Sequence, residues 1–105
     1  MQNGVRFSES CRSLTAHLSG EIDHHSAKEE REEIDAMLFR TKPTLLVLDF
    51  SEVKFMDSSG IGLIIGRADV CAAIGCRVRI TGLSKSLKKL LRLAGIEKMK
   101  FIDMD

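Results

Sequence analysis

Val53–Arg67 reads VKFMDSSGIGLIIGR and follows the most apolar run of the chain, LLVLDF at Leu45–Phe50. Together with Thr44, that run predicts a strand that is buried on both faces. From about Ser58 to Ala73 the sequence predicts a helix that is apolar almost all the way round. A junction between a strand and a helix presents free backbone N–H groups and a positive helix end, so it suits phosphate chemistry or the docking of a partner.

Helices and strands alternate along the rest of the chain. The S-x-x-E pattern of Ser26–Glu29 fits a capping box and predicts a helix that runs to about Arg40, after a loop at Gly20–His25. Ser84 is the expected N-cap of a basic third helix, which ends at Gly95. Short strands are predicted at residues 5–8, 13–19, 76–81 and 100–102.

The order of these elements, β-β-α-β-α-β-α-β, predicts a single α/β domain over residues 1–105. We expect a mixed β-sheet of four to five strands that is covered by helices. The inward residues of the first helix are predicted to be Ala27, Ile34, Met37 and Leu38, and those of the third Leu87, Leu90, Leu91 and Ala94. The first helix also has a predicted solvated acidic face, formed by Glu29, Glu30, Glu32, Glu33 and Asp35.

The composition excludes several classes of function. The 105 residues carry a formal net charge of +1 and include no Trp or Tyr, which argues against a nucleic-acid-binding surface. The longest apolar run is far too short to span a membrane, and the N-terminus lacks the pattern of a signal peptide, so we expect a cytoplasmic protein. The three cysteines form no CxxC pair, and Asp23-His24-His25 has no evident third ligand, so we expect no metal site.

The second helix has an unusual outer face. A helix on one face of a sheet is normally polar outside, whereas this outer half is small and apolar. Either other elements of the fold cover it, or it is a docking surface. Gly62 and Gly66 each cost up to about 1 kcal/mol in a helix, which favours the close approach of a partner or of another backbone. At about 100° per residue, the predicted core face comprises Ile61, Ile64, Ile65, Ala68, Cys71 and Ala72, and the outer half comprises Ser59, Gly62, Leu63, Gly66, Val70, Ala73 and Ile74.

Asp57 and Ser58 are both candidates for the N-cap of this helix. Ser58 and Ser59 are either capping residues alone or a phosphorylation site, and their spacing leaves both interpretations open. A phosphoserine would add about −1.5 to −2 charges. The helix N-terminus tolerates that charge, whereas Asp57 and any carboxylate of a docked partner oppose it. An enzyme is not expected, because Ser58 has no evident base in sequence and no G-x-S-x-G around it, and Gly60-x-Gly62 is not a P-loop.

Two segments together carry a resemblance to a known family. Phe55–Arg67, FMDSSGIGLIIGR, and Gly20–Ala27, GEIDHHSA, resemble the STAS family, and within it the sporulation anti-sigma factor antagonists. The resemblance covers almost the whole chain and implies a partner switch. In such a switch the unphosphorylated antagonist binds an anti-sigma-factor serine kinase and frees the sigma factor. The kinase uses ATP to phosphorylate a serine at the start of the second helix, which inactivates the antagonist, and a serine phosphatase restores it.

The resemblance also implies roles for single residues. Ser58, directly after Asp57, is the implied phosphoacceptor, although the helical angles turn Ser59 more squarely outward. Asp23 is the implied acidic contact beside the phosphoacceptor, with His24 and His25 as second contacts. The implied partner-binding surface comprises Asp23, His24, Asp57, Ser59, Gly60, Gly62, Leu63, Gly66 and Arg67.

Two other functions stay open. The first is a nucleotide- or anion-sensing STAS module, since the helix N-terminus supplies N–H donors, although no phosphate-binding lysine lies close by in sequence. The second is a scaffold subunit of a stress-signalling complex. Under the leading interpretation the protein is not an enzyme, has no cofactor beyond weak nucleotide binding, and is a monomer when free.

Overall fold

The helices and strands follow the predicted order along the chain. The computed structural model describes residues 3–105. The strands are β1 (Gly4–Ser10), β2 (Ser13–Ile22), β3 (Leu45–Met56), β4 (Arg77–Thr81) and β5 (Ile102–Met104). The helices are α1 (His24–Thr41), α2 (Ser58–Ala73) and α3 (Lys85–Leu93), and a 3-10 turn at Ile96–Lys98 precedes β5.

The five strands form one sheet in the order β1-β2-β3-β4-β5. β1 runs antiparallel to β2, whereas the β2–β3, β3–β4 and β4–β5 pairs are parallel. Each parallel pair is joined through a helix, and right-handed crossovers that all step in one direction put their helices on the same face of the sheet. The predicted mixed α/β sheet is therefore confirmed.

The helices cover only one face of this sheet. On β3, Leu46, Leu48 and Phe50 are buried, while Leu45 and Val47, which alternate with them, are only half-buried. β2 and β4 show the same period of two, so the core lies between one sheet face and the helices. The expectation that β3 is buried on both faces is wrong, because all three crossovers lie on the same side.

β2 and β3 extend further than the sequence predicts. β2 continues beyond Ser19 to Ile22, and β3 continues beyond Phe50 to Met56. The two strands stay paired as far as Ile22 and Met56, although the register shifts twice, once after Gly20. The φ of Gly20 is 80°, which glycine adopts without the strain that a side chain would bring. The longer strands therefore carry the chain directly to the starts of α1 and α2.

α1 has its N-cap three residues earlier than the S-x-x-E pattern predicts. The cap is Asp23, whose Oδ1 accepts hydrogen bonds from the backbone N–H of His25 at 3.0 Å and of Ser26 at 2.9 Å. The backbone N–H of Asp23 in turn donates to Ser26 Oγ at 3.0 Å, which completes a reciprocal capping box. The predicted loop at Gly20–His25 is therefore the end of β2 followed by the first turn of α1.

One residue of the predicted acidic face points inward. Glu30 is only 2% exposed, and neither of its carboxylate oxygens has a hydrogen-bond partner among residues 3–105. Burial, reinforced by the negative charge of Glu33, raises the pKa of Glu30 to about 7. The prediction of a solvated face is wrong for Glu30, because its position in α1 faces β1 and the interior.

The C-terminal third of the chain departs from prediction in two details. Ser84 caps α3 as expected, since its hydroxyl accepts a hydrogen bond from the N–H of Leu87 at 3.2 Å. Leu87 and Leu91 are buried, but Ala94 is exposed, because α3 ends at Leu93. β5 begins two residues later than predicted, because the chain first forms the 3-10 turn.

Candidate functional site

The carboxyl ends of β2 and β3 bring two helix N-termini side by side. Ile22 pairs with Met56 in the parallel register, and the N–H of Asp57 donates to the carbonyl oxygen of Ile22 at 3.1 Å. α1 and α2 therefore start from adjacent positions, and each has an aspartate as its N-cap. The structure thus brings together the two segments that carry the family resemblance.

The two serines that follow Asp57 differ in their surroundings. Ser58 is the first residue of α2 and is exposed, whereas Ser59 is half-buried. The N–H of Ser59 donates to Asp57 Oδ1 at 2.8 Å, so Asp57 is the cap. The helical angles, which turned Ser59 more squarely outward, are wrong here, because a groove wall formed by α1 stands beside Ser59.

The glycines of α2 fall into two kinds. Gly60 is buried, and a Cβ atom on it would overlap the side chain of Met56, which would have to move to make room for any larger residue. A Cβ atom on Gly62 or Gly66 would meet no atom within 4 Å. Packing within residues 3–105 therefore explains Gly60 but gives no reason for Gly62 and Gly66.

The buried stripe of α2 is rotated from the predicted one. Leu63 and Arg67 are 3% and 4% exposed, although Leu63 was expected on the outer half. Ala72 was expected in the core and is exposed, while Ile61 and Ile65 are only half-buried. The reason is that α2 packs against α1 as well as against the sheet, which turns the Leu63 side of the helix inward.

Arg67 and Asp35 form an ion pair between α2 and α1. Arg67 Nε lies 2.8 Å from Asp35 Oδ1, with the Arg67 side chain 5% exposed. The N–H bond does not point at that oxygen, so the contact is an ion pair without an aligned hydrogen bond. Burial lowers the pKa of Arg67 and Asp35 opposes that shift. Asp35 thus neutralises the Arg67 guanidinium, which was predicted to belong to the partner-binding surface.

A groove of about 370 Å³ runs between the first turns of α1 and α2. Lys28 and Arg31 bring two positive charges to it, and both were absent from the predicted site. Their spacing from His24, at four and seven residues along α1, is the signal that could have found them, because such residues share one helix face. The groove is lined by His24, Ala27, Lys28, Arg31, Ser59, Gly62 and Leu63.

Opposite charges meet at this edge of the sheet. The hydrogen bond from the Ser26 backbone N–H lowers the pKa of Asp23, so that carboxylate stays ionised beside the start of α2. Asp57 adds a second carboxylate, and Lys28 and Arg31 stand across the groove. An added anion at Ser58 would therefore meet repulsion from the two caps and attraction from the two cations.

The predicted partner-binding residues divide by exposure. Phe55, two residues before Asp57, is 53% exposed and was not among the predicted partner-binding residues. The signal that could have found it is an aromatic side chain on the strand just before the junction. His25 is exposed but does not line the groove. The residues at or partly at the surface are Asp23, His24, Asp57, Ser59, Gly62 and Gly66, and the buried ones are Gly60, Leu63 and Arg67.

This fold, with two capped helix N-termini at the carboxyl ends of neighbouring strands, is typical of a class of small α/β domain. The chain matches the STAS domain family over residues 5–104 and belongs to that family. The anti-sigma F factor antagonist of Lysinibacillus sphaericus is 33% identical over 79 residues, which are 75% of this chain and 68% of that protein. The anti-sigma F factor antagonist of Paenibacillus polymyxa is 33% identical over 86 residues, or 82% and 74%.

Solved structures agree with this assignment. The anti-sigma factor antagonist SpoIIAA in its unphosphorylated form superimposes with a TM-score of 0.81 at 26% identity, covering 96% of this chain and 87% of that chain. The phosphorylated form of the Bacillus cell fate determinant SpoIIAA gives a TM-score of 0.74 at 26% identity, covering 96% and 90%. Among the described residues, no helix is both long and apolar enough to cross a membrane.

Proposed function

We propose that this protein is an anti-sigma factor antagonist whose unphosphorylated form binds an anti-sigma-factor serine kinase and so releases a sigma factor. Phosphorylation of Ser58 by that kinase switches it off, and a serine phosphatase reverses the switch. The observation that carries the proposal is the exposed Ser58 at the first position of α2, directly after the Asp57 cap. The two 33%-identical relatives named anti-sigma F factor antagonists support the assignment.

The docking surface is the outward side of α2 together with the start of α1. Gly62 is exposed and bears no side chain, so a partner backbone can approach the helix closely there. The groove beside Ser59 offers Lys28 and Arg31 to acidic groups of the kinase. Leu63 and Arg67 support this surface from inside the domain, because both are buried and Arg67 pairs with Asp35 of α1.

The switch is electrostatic. A phosphate on Ser58 adds about −1.5 to −2 charges next to the carboxylates of Asp57 and Asp23. Free backbone N–H groups of the α2 N-terminus accommodate that charge within the domain. A kinase surface that complements the unphosphorylated junction would instead meet a bulky anion. Phosphorylation therefore weakens binding to the kinase without unfolding the domain.

Phosphorylation is tested with a purified anti-sigma-factor kinase, ATP and peptide mapping by mass spectrometry. We expect one phosphate on Ser58, none on a Ser58→Ala variant, and normal labelling of Ser59→Ala as the matched control. Labelling of Ser59, or equal labelling of Ser58→Ala, would contradict the proposal.

Binding is tested by calorimetry with the same kinase. We expect Ser58→Asp to weaken the complex at least about tenfold, corresponding to about 1.4 kcal/mol. Ser86→Asp is the matched control, because it adds the same charge to the first turn of another helix, α3. Equal loss in both variants would mean that net charge, and not the junction, governs affinity.

A nucleotide- or anion-sensing module is the second candidate function. Lys28 and Arg31 favour it, because they supply beside two helix N-termini the cations that the local sequence around Ser58 lacks. Calorimetry of the isolated protein with GTP and ATP tests it, with Lys28→Ala as the variant that should lose binding. No heat at millimolar nucleotide would remove this candidate.

A further inference from the structure

The sheet face that the helices leave uncovered carries a Ser-His-Asp arrangement. His17 on β2 points its Nδ1 at Asp49 Oδ2 on β3, at 2.8 Å. Its Nε2 lies 3.0 Å from the hydroxyl oxygen of Ser8 on β1. The three side chains come from three adjacent strands, and His17 and Asp49 are direct partners in the parallel register.

The carboxylate is held from two sides. Asp49 Oδ1 accepts a hydrogen bond from the Ser51 backbone N–H at 3.0 Å, while Oδ2 faces His17. Gly82, with a φ of 73°, brings its backbone so close that a Cβ atom would lie 2.8 Å from Asp49 Oδ1. Burial alone would raise the pKa of Asp49, but the hydrogen bonds from Ser51 and His17 hold that pKa below its ordinary value.

These contacts fix the tautomer of the imidazole. An ionised Asp49 only accepts hydrogen bonds, so the proton of neutral His17 resides on Nδ1. Nε2 then carries a lone pair and accepts the hydroxyl proton of Ser8. This is the arrangement in which a histidine acts as general base for a serine nucleophile and a carboxylate orients the ring.

We propose that Ser8 is an activated nucleophile that accepts an acyl group from small activated esters. As Ser8 Oγ forms a bond to the carbonyl carbon, its proton passes to His17 Nε2. The bond from that carbon to the leaving oxygen then breaks, the leaving alcohol takes the proton from Nε2, and the acyl group stays on Ser8 as an ester. Asp49 is a positioning residue that stabilises the transient imidazolium.

The surroundings of Ser8 indicate the class of acyl donor. Arg6 lies on the same strand and face as Ser8 and opposite His17 in the register, so its guanidinium can approach the developing oxyanion. A groove of about 360 Å³ adjoins this cluster and is lined by Arg6 and His17 together with both polar and apolar residues. Its size suits a short acyl group better than a fatty one.

The test exposes the full chain to p-nitrophenyl acetate and maps acetylated residues by mass spectrometry over time. We expect acetyl-Ser8 to be the dominant product. It should form about 100-fold more slowly in His17→Gln, because the glutamine side chain has no basic nitrogen to accept the Ser8 hydroxyl proton. Ser10→Ala is the matched control, because Ser10 is exposed on the same strand and face. Ser8→Ala should remove the labelled peptide.

Two further readouts separate activation from structure. Circular dichroism melts show whether His17→Gln stays folded, and Asp49→Asn should slow acetylation while nitrogen-15 spectra report a changed His17 tautomer. Labelling of Ser10 at the rate of Ser8, or labelling of Ser8 that does not respond to His17→Gln in a folded protein, overturns the proposal. Slow acetylation of Asp49→Asn with an unchanged tautomer would remove the positioning role of Asp49.

Discussion

At the scale of single residues, Glu30 brings a carboxyl group between α1 and β1, where its oxygens find no hydrogen-bond partner among the described residues. Desolvation favours the neutral acid, and the negative charge of Glu33 adds to the effect. A folded-state pKa of about 7 lies above the ordinary value of 4.5, so the folded protein binds the proton more tightly than the unfolded chain. Stability therefore falls as the pH rises from about 4.5 to 7, and the loss is complete above that window.

Glu30→Gln removes this titration while keeping the shape of the side chain. We expect the variant to be more stable than the wild type at pH 8, by up to about 3 kcal/mol, and similar to it at pH 4. Urea denaturation at several pH values measures the difference. Glu32→Gln, an exposed neighbour on the same helix, should leave the pH profile unchanged, and a profile that does not flatten in Glu30→Gln would contradict the assignment.

At the scale of elements, substitutions at Gly62 and Gly66 should affect the stability of α2 and its proposed role in docking in opposite directions. Neither glycine has an atom in the way of a Cβ, so alanine should stabilise the helix by up to about 1 kcal/mol at each position. The added methyl group would also keep the backbone of a partner from approaching α2 closely. We expect Gly62→Ala to melt at a higher temperature yet bind the kinase more weakly.

Gly60→Ala is the contrasting variant for this pair. Its Cβ would overlap Met56, so we expect lower stability from the same chemical change two residues earlier. Melting temperatures and calorimetric affinities of the three alanine variants check the set. If Gly62→Ala and Gly66→Ala bind as tightly as the wild type, close approach at these glycines is not part of docking.

The Arg67–Asp35 ion pair joins α1 to α2 and is the second element-scale feature open to test. Asp35→Asn leaves a guanidinium buried without a counter-charge, for which we expect a loss of about 3 kcal/mol in the free energy of unfolding. Asp103→Asn breaks the exposed pair with Arg77 and should cost less than about 1 kcal/mol. Equal losses in urea denaturation would show that burial does not distinguish the two pairs.

Sequence periodicity could place the elements but not their contacts with one another. The apolar run and the Asp57 cap were enough to locate β3 and α2, since both signals are local. The rotation of α2 that buries Leu63 and Arg67 depends on α1, which is a tertiary contact with no local signature. For the same reason Lys28 and Arg31 were missed, although their spacing along α1 is visible in the sequence.

At the scale of the whole molecule, the sheet has one face covered by helices and one open face. The two proposed sites, the docking site at the starts of α1 and α2 and the Ser8 cluster, are separated by this division. The crossovers put every helix on one side, so the proposed docking site lies where β2 and β3 lead into α1 and α2, while the other face of the sheet carries its own polar cluster. The one-sided cover was not predictable from LLVLDF, because a continuous apolar run is compatible with either arrangement. What decided it was the strand order, which only long-range pairing reveals.

At the same scale, we expect the proposed switch at Ser58 to leave the fold intact. An added negative charge at the first position of α2 gains about 0.3–1 kcal/mol from the helix N-terminus, while Asp57 and Asp23 oppose it by a similar amount. We expect Ser58→Asp to unfold within about 1 kcal/mol of the wild type. Amide shift changes in NMR spectra should be confined to the starts of α1 and α2, and shifts across β4 and β5 would mean that the charge rearranges the domain instead of repelling a partner.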